Sequence, residues 1–384
     1  MRLAADSGLW STGPGTTATP LTAVLEVTGA VLSWTVDDPP EDASAQITFT
    51  DVSRADWLWR ILGESGHVAV TSALASAADG TADGLQSIEL TGVGVVPGSV
   101  HPLRRLAIGH WLRRWWPASR QDGIAGLDRA LLDVEVALLT VGAQGFFTDD
   151  TLDSDVAELL APHATALIAQ VRSADQRIVD LVRAGVELAD EAGIDDIGWP
   201  ELHAALDDSS AILTVSGPSG RRDDYALAAG SDGGPRRGPS IARGVASINW
   251  SAVPPGIFDA AENTVEWSVE LAGTTATAVV RAAVIGPDPA TGVAVQLRAG
   301  AIGSTGTLDA DGRATLRLVD TQRRRLTEQA VWDHDWPTAS VIIGADVTEP
   351  RETRERVRRL ARLRMDRPGD DAFLAEILAS ESSY

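Results

Sequence analysis

The chain has 384 residues, a formal net charge of −22 and neither lysine nor cysteine, so arginine supplies all 32 basic side chains. Without lysine, the chain lacks the amine that a Walker-A phosphate loop, a protein-kinase site or a Schiff-base intermediate requires. Without cysteine, it offers no disulfide, thiolate nucleophile, iron–sulfur cluster or cysteine-bound zinc. No cofactor is expected, and the length predicts two or three domains.

The composition also bears on source and location. Arginine without lysine, together with abundant alanine and glycine, is typical of a GC-rich bacterial genome, and the acid excess would also suit a salt-adapted organism. No run of about 18 apolar residues occurs, so no membrane span is expected, and the N-terminus has no apolar signal-peptide core. We therefore expect a cytoplasmic protein whose acidity disfavours non-specific binding to nucleic acid or anionic lipid.

The first hundred residues predict a flexible arm followed by a mostly β domain. Residues 1–19 are rich in Gly, Ser, Thr and Pro, and residues 20–100 contain β-branched or alternating stretches that indicate strands. These stretches are PLTAVLEVTGAVLSWTV, AQITFTDV, HVAVTSALA and LQSIELTGVGVV. Between them, SRADWLWRILGE predicts one short helix with Ser53 as its N-cap.

Residues 101–210 predict a helical subdomain, because apolar residues recur there at three- and four-residue steps. Pro162 is expected to break the helical pattern, and Gly193 to end it. Residues 141–210 are strongly acidic. A strand at SSAILTVSG is then predicted to enter a loop or linker that spans residues 211–243.

Residues 244–348 predict an antiparallel β-sandwich. TVEWSVEL, VAVQLRAG and DADGRATLRLV alternate between apolar and polar side chains and are separated by Gly, Pro and Asp turns. The stretches GVAVQLRAG and GTLDADGRATLRL resemble the Ig-related, prealbumin-like modules of the carboxypeptidase-regulatory and Cna-B type. That resemblance implies a structural or binding module rather than a catalyst, and LDADG is expected to form a hairpin turn.

Residues 349–384 predict a tail of two helices separated at Pro368 and Gly369, the first rich in arginine and the second short and amphipathic. Taken together, the segments predict an α+β multidomain protein: a mostly β domain, a helical middle, and a β-sandwich with a helical tail.

Two segments are candidates for partner docking. HPLRRLAIGHWLRRWWPASR, residues 101–120, could bind nucleic acid or an anionic membrane. The favoured interpretation is a helix whose apolar stripe enters the core while its arginines face the chain's own acids. The tail is expected to dock on an acidic surface such as segment 149–208, within one chain or on a second copy. The candidate residues are Arg104, Arg105, Trp111, Arg113, Arg114, Trp115, Trp116, Arg354, Arg358, Arg359, Arg362, Phe373, Leu374, Ile377 and Leu378.

VWDHDW is the best catalytic candidate, since Asp333 and Asp335 flank His334 and an aspartate can orient an imidazole. The favoured alternative is an exposed turn, because sequence neighbours in a strand point to opposite faces and a triad needs a third group. Histidine spacing predicts no metal site. The glycine-rich stretches near residues 216–241 match neither the GxSxG nor the GxGxxG pattern.

The function expected from these observations is a non-catalytic scaffold or adaptor subunit of a bacterial cytoplasmic multi-protein assembly, with a defence or signalling system as one hypothesis. The expected partners are proteins, with self-association through the tail as one case. A hydrolase that uses Asp333, His334 and Asp335 is the first alternative, and nucleic-acid binding through arginine-rich helices is the second and less favoured. Deletion of residues 351–384 is expected to leave the remainder folded.

Overall fold

The computed structural model describes residues 1–13, 15, 17–38, 45–78, 87–147, 153–173, 175–195, 198–213, 240–272 and 275–382. Strands come first, helices occupy the middle, and antiparallel strands with a helical tail come last. The predicted α+β class is therefore confirmed. None of the helices in these ranges combines the length and the apolar character that a membrane crossing requires.

The chain folds into two compact units, each assembled from segments that are distant in sequence. The first unit contains Met1–Arg114, Leu127–Gly217 and Arg362–Tyr384, and the second contains Trp115–Gly126 and Pro218–Ala361. The sequence predicts domains that are each one continuous stretch of chain. The observed units are discontinuous, because the chain passes from one unit to the other four times.

The first unit contains a six-stranded antiparallel sheet with the order β3-β4-β5-β2-β1-β6. Its strands are β1 Arg2–Asp6, β2 Leu9–Thr12, β3 Thr22–Val27, β4 Ala30–Thr35, β5 Gln46–Phe49 and β6 Ser87–Glu89. The sequence predicts a flexible arm at residues 1–19, but β1 pairs with both β2 and β6 and buries Leu3 completely. Backbone hydrogen bonds to β2 and β6 on both edges keep β1 ordered, although segment 1–19 is rich in Gly, Ser, Thr and Pro.

One predicted strand is wrong, because HVAVTSALA belongs to helix α1, Trp59–Ala78. Leu62, Gly66, Val70 and Leu74 are buried at steps of four, which is the period of a helix face and not of a strand. The predicted N-cap is also wrong. The Asp51 carboxylate accepts the backbone N–H of Ser53 at 3.0 Å and caps a short 3₁₀ turn ahead of the helix.

The predicted helical middle is present in the first unit. Its helices are α2 His101–Trp115, α3 Arg129–Gln144, α4 Asp153–Leu160, α5 Ala164–Val171, α6 Gln176–Glu191 and α7 Trp199–Leu213. Pro162 interrupts the pattern between α4 and α5, as predicted, and Gly193 follows α6 with a φ of +69°. The strand predicted at SSAILTVSG is wrong for its first five residues, which end α7; its remainder lies outside the described residues.

The second unit is an antiparallel sandwich, as the alternation predicts. One sheet has the order β12-β9-β8-β7, and the other has the order β13-β11-β10-β14. The strands are β7 Ser240–Ala246, β8 Val265–Ala272, β9 Thr275–Ala282, β10 Ala294–Ala299, β11 Ile302–Thr307, β12 Arg313–Arg317, β13 Val319–Asp320 and β14 Ser340–Ile343. Inward residues of both sheets, such as Val265, Val269 and Leu297, form one apolar core.

The LDADG turn is not the predicted hairpin, because β11 and β12 belong to different sheets. The Asp309 carboxylate accepts the backbone N–H groups of Asp311 and Arg313, and Gly312 has a φ of +72°. A Cβ on Gly312 would lie 2.5 Å from the carbonyl oxygen of Ala282, so the corner requires glycine.

The remaining helices are α8 Glu328–Trp332, α9 Arg351–Asp366 and α10 Leu374–Ser382. Residues 351–361 of α9 belong to the second unit, whereas its last residues and α10 belong to the first. The two predicted tail helices are therefore present, on either side of Pro368 and Gly369.

A glycine in α2 permits close helix packing in the first unit. A Cβ on Gly109 would lie 2.6 Å from Cγ2 of Val136 in α3 and 2.9 Å from Cζ of Phe373. We expect Gly109→Ala to lower the free energy of unfolding by about 1–3 kcal/mol, because overpacking forces neighbours apart. Urea unfolding followed by circular dichroism measures this change.

Gly142→Ala is the matched control, since Gly142 lies in α3 with open space around its Cβ position. Alanine there should be neutral or stabilise the protein by up to about 1 kcal/mol. Equal effects of the two substitutions would contradict the packing argument.

Candidate interaction surface

The arginines of α2 lie against carboxylates of their own unit. Arg105 Nη2 is 2.6 Å from Glu135 Oε1, and Arg113 Nε is 2.6 Å from Asp133 Oδ1. Arg104 is buried, and its Nη1 lies 3.3 Å from Asp371 Oδ2. The predicted apolar stripe, which includes Leu103, Leu106, Ala107 and Trp111, is buried. This geometry supports the internal counter-charge interpretation over an external ligand.

The tryptophans of this segment are also held inside their units. Trp111 donates its indole N–H to the carbonyl of Pro20 at 2.6 Å, and Trp116 donates to that of Ala125 at 2.8 Å. Arg114, Trp115 and Trp116 are half-buried. The structure thus leaves little of the predicted docking face of α2 exposed.

Asp133 is the centre of a buried charge cluster that the sequence-based search missed. Its carboxylate contacts Arg113, Arg129 at 2.9 Å and His163 Nε2 at 2.9 Å. Burial raises the pKa of Asp133, but hydrogen bonds from His163 and Arg113 lower it more, so the carboxyl stays ionised. The signal in the sequence was that two acids, Asp133 and Glu135, interrupt the apolar run of α3. Because its partners belong to the same unit, the cluster is structural.

The C-terminal segment is built into the first unit. Phe373 and Glu376 are completely buried, and Arg364 Nε lies 2.6 Å from Glu376 Oε1. The Glu135 carboxylate accepts the backbone N–H of Leu374 at 2.8 Å at the start of α10. Burial raises the pKa of Glu135, although this bond and Arg105 oppose the shift. Because Phe373 and Glu376 are buried in the first unit, deletion of residues 351–384 should destabilise that unit instead of leaving it folded.

Two arginines of α9, Arg354 and Arg358, are buried in the second unit. Both Nε and Nη2 of Arg354 lie 2.9 Å from the Glu262 carboxylate, which also accepts from Arg358 Nη2 at 3.0 Å. Burial raises the pKa of Glu262, but hydrogen bonds from Arg354 and then Ser247 lower it to about 2. These arginines pair with Glu262 instead of the expected acidic segment 149–208.

Of the other candidate docking residues, Arg359 and Arg362 are exposed, whereas Leu374, Ile377 and Leu378 are half-buried. Five of the candidate docking residues fill interior positions, where a partner has little access to them: Arg104, Trp111, Arg354, Arg358 and Phe373. Docking of a partner protein through Arg359 and Arg362 stays a prediction.

The Asp-His-Asp motif is not assembled into a catalytic dyad. Asp333 and Asp335 are exposed, and His334 is half-buried with its ring 4.8 Å from that of Trp336 in an edge-to-face contact. No hydrogen bond within the described part of the chain joins His334 to either carboxylate. The same ranges contain no cluster of three or more metal-ligating side chains.

The open face of sheet β12-β9-β8-β7 carries four arginines that form no ion pair within the described residues. Arg243, Arg281, Arg313 and Arg317 project from the side opposite the core, where Leu316 and Val280 are buried. Across the part of the chain that the structure describes, none of these four makes an ion pair or a side-chain hydrogen bond. We call these four residues the arginine face.

The register of the strands fixes the positions of these four arginines relative to one another. Arg313 lies directly opposite Arg281, Arg317 lies opposite Thr277, and Arg243 lies opposite Ser268. Residues four apart on a strand are separated by ~14 Å, so Arg313 and Arg317 occupy two rows of the sheet. Like charges directly opposite one another destabilise a sheet. On its other side Arg281 lies opposite Glu266, and Glu270 lies opposite Thr277, so the same face carries four arginines and two glutamates and has a small positive net charge.

Comparison with known protein families, curated proteins and solved structures finds no match to this chain.

The role of the tail can be tested at its anchor. We expect Phe373→Ala to lower the free energy of unfolding by about 3–5 kcal/mol, because it empties a fully buried site. Leu363→Ala is the control, because Leu363 is 58% exposed, and it should change stability by less than about 0.5 kcal/mol. Urea denaturation measures both. A neutral Phe373→Ala would show that the tail is dispensable for the first unit.

The Glu262 cluster predicts a pH dependence of stability. The folded pKa is about 2 and the usual value is 4.5, so the carboxylate stabilises the fold above pH 4.5 and loses that contribution as pH falls toward 2. Glu262→Gln should cost about 3 kcal/mol near pH 7, because it leaves two buried arginines without their carboxylate. The difference from the wild type should shrink near pH 3.

Urea unfolding of both proteins across this pH range is the measurement. Glu355→Gln removes an exposed carboxylate of α9 and should have a small effect at every pH. A Glu262→Gln defect of constant size from neutral to acid pH would contradict the assignment.

Proposed function

We propose that this chain is a non-catalytic scaffold or adaptor subunit of a multi-protein assembly, and that the arginine face holds a partner. The observation that carries the proposal is that Arg243, Arg281, Arg313 and Arg317 form no ion pair within the described residues, although the chain has a net charge of −22 and two glutamates share their face. Arginine is well suited to interfaces because its planar guanidinium binds carboxylates in a bidentate manner and is weakly hydrated.

The contrast with the rest of the chain supports this proposal. Arg104, Arg113, Arg354 and Arg364 each pair with a carboxylate of their own unit. The face instead carries more arginines than glutamates, so a partner surface of negative charge would complement it.

The two alternative functions have less support. The hydrolase alternative would require a polar contact between His334 and a carboxylate, and the Asp333-His334-Asp335 segment provides none. Single-stranded nucleic-acid sites usually combine basic groups with aromatic rings that stack bases. The outward residues of the described part of this sheet include no aromatic ring.

Charge reversal tests the proposal. Arg313→Glu combined with Arg317→Glu, the face-reversed variant, should lose a protein that co-purifies stoichiometrically with the wild type from its native host. The loss should be at least ~10-fold, because like charges across an interface cost several kcal/mol. Quantitative mass spectrometry of the purified complexes is the measurement.

The control is Arg298→Glu combined with Arg351→Glu, which changes the net charge equally at two exposed arginines outside the face. It should retain the partner. A partner set that is the same for the wild type and the face-reversed variant, or the absence of any stoichiometric partner, would reject the proposed function.

A further inference from the structure

Strand β3, Thr22–Val27, lies at one edge of the six-stranded sheet, where β4 is its one hydrogen-bonded neighbour among the described strands. The backbone N–H of Val36 donates to the carbonyl of Leu21 at 3.0 Å, in the same register that pairs β3 with β4. Hydrogen-bonded positions alternate along an antiparallel strand, so the odd-numbered residues of β3 bond to β4. The even-numbered residues turn their N–H and C=O groups to the open edge: Thr22, Val24 and Glu26.

The middle of this edge has no hydrogen-bond partner within the described residues. The backbone groups that Val24 and Glu26 turn outward donate or accept no hydrogen bond there. Both residues are exposed, and Val24 remains 38% exposed although its side chain is apolar. Unpaired backbone groups on an edge strand are a template for pairing with another strand.

The other edge strands carry features that prevent such pairing. β6, β13 and β14 have only three, two and four residues, β12 carries Arg313 and Arg317, and β7 has a register shift between Ser240 and Ala242. Shortness, charge and bulges are the usual protections of a sheet edge. By contrast, β3 has six residues, a regular register, no proline and one charged side chain, that of Glu26.

The hairpin of β3 and β4 is fixed at its tip. Trp57 donates its indole N–H to the carbonyl of Thr28 at 2.7 Å. The carbonyl of Gly29 accepts the backbone N–H groups of Thr50 and Asp51, each at 3.0 Å. A strand that is already held in its extended form loses little conformational entropy when it binds, so this edge is prepared for a partner strand.

We propose that β3 binds the β3 strand of a second copy, antiparallel and centred on Val24, so that two six-stranded sheets join into one. The interface is isologous, with a two-fold axis between the two Val24 residues. In this register the two Val24 residues exchange both of their outward backbone hydrogen bonds. The inference does not depend on the arginine face, which lies on another sheet, and it goes beyond the proposed function by assigning a surface for self-association.

The side chains of β3 are complementary to themselves in this register. On the outer face, Val24 lies against Val24 of the second copy, which removes two apolar side chains from water. Glu26 lies opposite Thr22 of the second copy, so the two carboxylates are separated by ~14 Å along the strands. On the core face, Ala23 lies opposite Leu25, which sets a small side chain against a large one.

Other registers are less favourable. Pairing centred on Glu26 would place two carboxylates directly opposite each other, which destabilises a sheet. Pairing centred on Leu25 would set two large side chains against each other and place Glu26 opposite Val24. Pairing centred on Ala23 would place Glu26 opposite Pro20, which has no N–H to donate. A shift by a single residue would bring outward backbone groups against positions whose own groups already bond to β4.

Cysteine substitution tests the register directly, because the chain has no cysteine of its own. Full-length Val24→Cys should form a disulfide-linked dimer under mild oxidation, since the α-carbons of a hydrogen-bonded antiparallel pair lie ~5.5 Å apart, within the range of a disulfide. Glu26→Cys is the matched control on the same edge and should cross-link at least ~10-fold more slowly, since its two copies lie ~14 Å apart. Non-reducing gel electrophoresis measures both rates.

Sedimentation velocity tests the edge itself. The wild type should show a concentration-dependent dimer, and Val24→Pro should weaken it at least ~10-fold, because proline removes the N–H that faces the second copy. The hydrogen bonds between β3 and β4 do not use this N–H, so circular dichroism should show a folded variant.

Val24→Arg is a second variant that leaves the backbone donor in place. It should also weaken the dimer at least ~10-fold, because two guanidinium groups then lie directly opposite each other. An equimolar mixture with Val24→Glu should dimerise again, since residue 24 faces residue 24 of the second copy. The face-reversed variant should dimerise like the wild type, which separates this inference from the proposed function.

A wild type that stays monomeric at high micromolar concentration overturns the inference. A dimer that Val24→Pro and Val24→Arg both leave unchanged, or Glu26→Cys that cross-links as fast as Val24→Cys, also overturns it. A monomeric wild type that captures a different host protein, which Val24→Arg loses, assigns the edge to a strand of that protein and rejects the second copy.

Discussion

A guanidinium group cannot lose its proton to escape burial, and in a chain without lysine this constraint applies to every basic side chain. Each interior arginine must therefore be matched by a carboxylate that is itself held in place. Arg104, Arg354 and Arg358 are all less than a tenth exposed, and each has an acid of its own unit as partner. These pairs determine where α9, α10 and α2 dock within their units.

Such pairs contribute more to specificity than to net stability. Removing two charges from water costs much of what their attraction returns, so an apolar substitute of the same shape often stabilises a fold equally well. A misplaced helix, however, would leave a buried charge without its partner, which is strongly unfavourable. The Glu262 and Asp133 clusters therefore favour one register of packing, whereas apolar contacts alone would tolerate several.

Local patterns in the sequence predicted those features that depend on neighbouring residues alone, namely strands, helix breaks and helix ends. The alternation in β8, the break at Pro162 and the helix end at Gly193 follow from residue periodicity and backbone freedom. Helix α1 shows where such local patterns fail. Its β-branched Val68 and Val70 favour a strand, but the buried positions recur at steps of four, which requires a helix. The charge pairs were not predictable, since Arg354 and Glu262 are 92 positions apart and Arg104 and Asp371 are 267 apart. The arginine face depends on register between β9 and β12, which no single strand encodes.

The four passages of the chain between its units have a consequence for synthesis. The first unit begins at Met1 but includes Arg362–Tyr384, and the core position of Phe373 lies in that last segment. A growing chain therefore cannot complete the packing of its N-terminal sheet and helices before residue 373 has left the ribosome. The second unit, whose last residue is Ala361, can finish first, so the usual N-to-C order of domain folding is inverted. Until Phe373 has been synthesised, the apolar site that it fills stays open, and a chaperone that binds exposed apolar surface during synthesis would protect it.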